Sequence, residues 1–95
     1  MEQVNDPAEF HSLNAYKRER LLNWCNGLEK IGKINKNHTS YGLKHLFERQ
    51  GGYITNGMFK GAMLEAGFKV DNPNDINWCF NVSNRSVKQL YQNFK

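Results

Sequence analysis

Three histidines and two cysteines are the side chains of this sequence best suited to hold a metal or attack a substrate: His11, Cys25, His38, His45 and Cys79. Zinc sites pair their ligands at short separations, and none of these residues has ligand spacing. A Cys/His nucleophile would also need a third group to orient the base and a donor site for an oxyanion, for which nothing in the chain argues. The run Gly52-Tyr53-Ile54-Thr55 has the turn glycine and following isoleucine of an EF-hand loop. A loop so placed would run from Phe47 to Met58 and put Phe47, Arg49, Gly51 and Met58 where calcium needs oxygen donors. Gly51-Gly52 also lacks the lysine pattern of a phosphate-cradling glycine loop. The sequence therefore predicts no cofactor, no metal and no enzymatic activity. Its chemistry is that of binding.

The charge pattern says what would be bound. Lys and Arg number 13 against 9 Asp and Glu, and Glu2, Asp6 and Glu9 fall within the first nine residues, so the body of the chain is decidedly basic. Such an excess favours a polyanionic partner, nucleic acid foremost. Lys17, Arg18 and Arg20 form one cluster. Lys33 and Lys36, with His38, lie in the polar run 32–40, which reads as a loop, either phosphate-contacting or simply solvated. Asn84, Arg85, Ser86, Lys88 and Gln89 form a third group of donors suited to phosphates and base edges. No carboxylate lies between Asn77 and Lys95 to offset Arg85, Lys88 and Lys95. Tyr41, Lys44 and Tyr53, expected to be exposed, offer a different docking patch.

No apolar run approaches the roughly 18 residues of a membrane span, and the first ten residues lack the basic end and apolar stretch of a signal peptide. A cytoplasmic protein with no membrane partner is expected. Cys25 and Cys79 should then be two buried thiols rather than a bridge.

One small domain, residues 1–95 with a flexible N-terminus over 1–6, must position these groups, as a monomer or as a homodimer. The fold class expected is mainly α, with helices near 7–26, 40–50, 56–66 and 84–93. Asp6, Pro7 and Glu9 make a helix start, and Phe10, Leu13, Leu21, Trp24, Leu28 and Ile31 recur every three or four residues or multiples of that step. Leu43, Leu46, Phe47 and Gln50 line one face of the second helix, and Phe59, Ala62, Met63 and Ala66 line one face of the third. Thr39 or Ser40 caps the second and Thr55 or Asn56 the third, and Gly51-Gly52 provides the break between them. Gly67 closes the third helix in the left-handed conformation, so that Phe68 packs back on Met63.

Two readings stand for the C-terminal part. In one, residues 75–91 form a helix-turn-helix: Ile76 and Phe80 are buried on a short first helix, Asn81-Val82-Ser83 turns, and Val87 and Leu90 anchor the second helix. In the other, residues 77–82 are a strand with Trp78, Phe80 and Val82 on one face, joined as a hairpin to 68–70 ahead of the last helix. Val87, Leu90, Tyr91 and Phe94 are core or core-edge positions in both.

The strings SYGLKHLFE, GGYITNGMFKGAMLEAGFKV and NWCFNVSNRSVK, which together span about Thr39 to Leu90, resemble a group of small accessory proteins of phages and integrated mobile elements. The resemblance implies a setting in which proteins of this size act as DNA-binding regulators or as inhibitors of host defence complexes, including anti-CRISPR proteins. It assigns no residue a role.

Overall fold

A computed structural model describes residues 5–92. A 3₁₀ helix, Pro7–Ser12, leads into α1 (Ala15–Asn26), β1 (Lys30–Thr39), α2 (Ser40–Gly51), α3 (Asn56–Glu65), β2 (Cys79–Val82) and α4 (Asn84–Gln92). The fold is mainly helical with one two-stranded antiparallel sheet.

Helices α2, α3 and α4 lie where caps and periodicity put them; Asn93, the expected end of the last, and Phe94 lie outside the described residues. Each of the three begins on a hydroxyl that takes an otherwise orphaned amide. Thr39 Oγ1 accepts from Gly42 N–H at 3.2 Å, Thr55 Oγ1 from Met58 N–H at 3.1 Å, and Ser83 Oγ from Ser86 N–H at 3.0 Å. Gly67, at φ 91°, ends α3: Phe68 N–H reaches back to Met63 O at 3.1 Å, and the Phe68 ring is buried.

The expected helix 7–26 is broken. Asn14 Oδ1 accepts from Lys17 N–H at 2.9 Å and starts α1 afresh, while Leu13 and Asn14 are extended. The cause lies on α3. Gly57 and Gly61, one turn apart, leave a groove that the segment Asn5–Phe10 fills, and a Cβ on either would run into the backbone of Asp6 or Pro7. The break at 13–14 lets Phe10 and Leu13 bury against α3 while α1 separately carries Leu21, Trp24 and Cys25 into the core.

The polar run expected to be a loop is instead part of β1. It pairs with β2 in the register Lys30↔Val82, Asn35↔Phe80, Thr39↔Cys79, with shifts between these pairs. Asparagine side chains take over where backbone pairing is irregular. Asn35 Nδ2 donates to Val82 O at 2.8 Å, and Asn81 Nδ2 donates to Ile31 O at 2.9 Å while its Oδ1 accepts from Lys69 N–H at 2.7 Å.

Of the two C-terminal readings, the strand is the one that forms, over Cys79–Val82. Residues 76–78 are not helical, and Ile76, the intended anchor of a first helix, is 66% exposed, so no helix-turn-helix is built there. The expected hairpin with 68–70 shrinks to a single bridge, Val70↔Phe80, flanked by Asn81 N–H to Lys69 O at 3.3 Å and Asp71 N–H to Cys79 O at 3.1 Å, while β1 takes the other side of β2. Phe80 then sits edge-on to Phe59, Phe68 and Trp78, with centroids 6.2–6.4 Å apart. Cys25 and Cys79 are buried free thiols.

Candidate functional site

The small sheet and α4 hold the charge of this molecule. Lys30, Lys33 and Lys36 lie on β1, Lys69 is bonded to β2 through Asn81, and Arg85 and Lys88 lie one turn apart on α4. Glu29 and Asp71 pair with two of these six cations, and Asp75 lies close enough for its charge to act on Lys36. Elsewhere among the described residues six basic side chains stand against five acidic ones, so most of the net positive charge resides in this layer.

The two paired carboxylates are fixed. Arg85 Nη2 meets Glu29 Oε2 at 2.8 Å, and Ser83 together with Arg85 holds the Glu29 carboxyl below the usual range. Lys36 Nζ meets Asp71 Oδ2 at 2.9 Å. Burial would raise the Asp71 pKa, but Lys36 and the N–H groups of Cys79 and Asn72 outweigh it and lower it. Arg85 is thus not the unopposed cation that the local sequence implied: its counter-charge comes from 56 residues earlier.

The other predicted residues divide. Lys33, Lys88 and Gln89 are exposed. Asn84 is exposed, but its Oδ1 is already met by Asn35 Nδ2 at 2.8 Å and by His38 Nε2 at 3.0 Å, which ties the start of α4 to β1. Ser86, read as outward, is buried; its hydroxyl bonds Ser83 and accepts from Glu29 N–H at 3.1 Å. Lys17, Arg18 and Arg20 stay on α1, which packs mainly on α3 and α2, and do not join the α4 set. Arg18 donates to Leu13 O at 2.9 Å across the helix break, and Arg20 reaches Tyr16 OH and Gln50 O at 3.4 Å. Lys30 and Lys69 belong to the basic layer and were missed, since only the β1–β2 pairing brings them to it.

A second feature adjoins the end of β1. A cleft of about 440 Å³ opens between the start of α2 (Tyr41, Lys44, His45), the connector Tyr53–Thr55, and Asn5, Asn56, Ile76 and Asn77. Lys44, expected at the surface, is its floor: only 5% exposed, paired with Glu48 at 2.9 Å, and 5.5 and 5.3 Å from the Tyr41 and Tyr53 ring centroids. Glu48 also accepts from Ile54 N–H at 3.0 Å and lies 3.1 Å from His45 Nδ1. Burial would raise its pKa, but the Ile54 amide and Lys44 lower it on balance. Tyr41 and Tyr53 are 52% and 72% exposed. Next to the cleft, Lys60 is buried under the Trp78 ring and donates to Asn5 O and Asp75 O at 3.3 and 3.4 Å; burial lowers its pKa. Together with Asn56 it stitches the N-terminal segment and the 75–77 loop onto α3.

Among the described residues no three His, Cys, Asp or Glu side chains gather to hold a metal, and no helix is long and apolar enough to cross a membrane. Compared with family models, with curated proteins and with solved structures, the chain matches none.

Proposed function

We propose that this chain is a non-enzymatic, nucleic-acid-binding regulator that engages a phosphate backbone through the layer of β1, β2 and α4. The observation supporting this is the charge asymmetry: six cations against three nearby carboxylates in this layer, beside a helical body in which six basic side chains face five acidic ones. Lys33 and Lys88 are the leading phosphate contacts, with Lys30, Lys36 and Lys69 flanking. Neutralising about four phosphates would give a slope near −3.6 for the logarithm of affinity against that of salt on duplex DNA. Fluorescence anisotropy with a labelled duplex at several salt concentrations tests this. The double variant Lys33→Ala, Lys88→Ala should weaken binding to all sequences alike and reduce the slope by about two. Absence of binding by the parent at low salt, or binding indifferent to salt, would overturn the reading.

A second reading is a stoichiometric inhibitor of a host nucleic-acid-targeting defence complex, docking through the same layer. Its support is the Arg85–Glu29 pair, which occupies the guanidinium best placed to read a base edge and presents instead the fixed mixed charge common at protein interfaces. Capture of a host complex by the parent but not by the double variant, with no intrinsic nucleic-acid affinity, would select it.

A further inference from the structure

We propose that the cleft between Tyr41 and Tyr53 is a pocket for a single unpaired nucleobase, so that the preferred ligand is a strand with exposed bases rather than a closed duplex. The inference rests on the nucleic-acid reading above and adds the part of the ligand that is read there. The basic strand runs straight into the cleft. Thr39 ends β1 and caps α2, and Ser40 is locked to the opposite wall: its N–H donates to Trp78 O at 2.7 Å, and its Oγ accepts from Trp78 N–H at 3.0 Å. A backbone following Lys33 and Lys36 along β1 therefore arrives at Tyr41.

The electrostatics of the cleft suit a base and not a phosphate. Its one buried cation, Lys44, is matched by Glu48, so the pocket offers little net charge to a phosphate. What it offers is aromatic area and hydrogen bonds. The two tyrosine rings are mostly outside the core yet held near the Lys44 ammonium, which gives a stacking platform that is positioned before a ligand arrives.

The polar groups are oriented as well. Asn56 is 8% exposed, and its Nδ2 donates to Asn5 Oδ1 at 3.1 Å, Asn77 Oδ1 at 3.1 Å and Ile76 O at 3.0 Å. Ile76 O, a backbone carbonyl, can only accept, and so fixes which way the Asn56 amide faces. With both oxygens used, Asn5 and Asn77 keep their NH₂ groups for a ligand. His45 lines the cleft with Nδ1 3.1 Å from Glu48 Oε1, which leaves Nε2 as the ring nitrogen available to a ligand. Two amide groups beside one ring nitrogen suit the mixed carbonyl, ring-nitrogen and amino edge of a base.

The test is binding of fluorescein-labelled twelve-nucleotide strands, DNA and RNA, set against a duplex of the same length and a strand carrying abasic sites. The parent should prefer the single strand of at least one sugar type over the duplex and lose that preference on the abasic strand. Tyr53→Ala and Tyr41→Ala should each weaken single-strand binding about five-fold or more without changing the salt slope, while Tyr53→Phe, which keeps the ring, should bind like the parent. Far-UV circular dichroism and melting confirm that each variant is folded. Equal binding of the abasic strand, or a folded Tyr53→Ala variant that binds as the parent does, would overturn the inference and leave the basic-layer reading standing on its duplex affinity. Failure of the parent to bind any of these nucleic acids would overturn both.

Discussion

Replacing Gly61 by alanine adds one methyl group at the point where the N-terminal segment crosses α3, and the consequence can be worked out. The new Cβ would meet the Pro7 carbonyl oxygen and the Phe10 Cβ well inside contact distance, and neither belongs to the flexible end of a side chain. The segment must shift or leave. If it leaves, Phe10 and Leu13, now 4% and 8% exposed, lose their burial at about 1.5–3 kcal/mol each, an upper bound of roughly 3–6 kcal/mol. If it only shifts, overpacking costs about 1–3 kcal/mol. Against either stands the gain from removing a mid-helix glycine, about 1 kcal/mol at most. Gly61→Ala should therefore lose about 0–2 kcal/mol by urea denaturation if the segment shifts and about 2–5 kcal/mol if it leaves, with faster hydrogen exchange over residues 6–13 in both cases. Gly42→Ala is the control: its Cβ would have ordinary contact with Thr39 Oγ1 at 3.7 Å, and stability should be unchanged or higher. A Gly61→Ala variant as stable as the parent and with unchanged hydrogen exchange over residues 6–13 would show that the segment does not lie in this groove, and the Asn5 wall of the tyrosine cleft would fall with it.

Phe59→Ala should cost about 3–5 kcal/mol, since Phe59 is fully buried and edge-on to Trp24 and Phe80; an unchanged melting temperature would refute its central place. Glu48 and Asp71 both have pKa values lowered by folding, so their stabilisation is complete above the ordinary carboxylate range and is lost as pH falls through the lowered values. Melting temperature should accordingly drop below about pH 4, less steeply in Glu48→Gln. Glu29→Gln frees Arg85 and removes one of the two carboxylates paired within the basic layer; duplex affinity at low salt should rise and the salt slope steepen by up to about one. A weaker-binding, folded Glu29→Gln variant would mean that the ion pair itself is recognised, as the inhibitor reading requires.

The helices were legible where local chemistry decides them. Thr39, Thr55 and Ser83 each cap a helix that periodicity also supports, and Gly67 closes α3 as its type demands. β1 was not legible because its partner lies some forty residues on and its composition is that of a solvated turn. The features that make it a strand are Asn35 and Asn81, and an asparagine bonded to a distant carbonyl looks in sequence like an asparagine in a loop. The helix break at 13–14 was hidden for a similar reason: Asn14 is a good cap, but what makes a new start necessary is the groove at Gly57 and Gly61. Of the candidate binding residues, Lys33 and Lys88 are exposed, as the sequence reading had them. Arg85 was read without Glu29, and Lys44 without the tyrosines that cover it, because both environments come from tertiary pairing.

The same tertiary pairing bears on function. A chain with this composition could have spread its excess charge evenly, in which case solubility alone would account for it. Instead the helical body buries two of its cations, Lys44 with Glu48 and Lys60 under carbonyls and an aromatic face, while the cations of the sheet layer outnumber the carboxylates near them by six to three. The cations of the body are used to build structure: Arg18 bonds across the helix break, Lys60 stitches two segments to α3, and Lys44 holds two tyrosines. Those of the sheet layer build little beyond two surface pairs and Lys30 over Phe68, and surface pairs stabilise a fold only weakly. Neutralising Lys33 and Lys88 of the sheet layer should therefore leave stability nearly unchanged while weakening binding, whereas neutralising the buried Lys44 should cost stability first. Melting and binding measured on Lys33→Ala, Lys88→Ala beside Lys44→Ala separate the two, and loss of stability in the first without loss of binding would reverse the assignment.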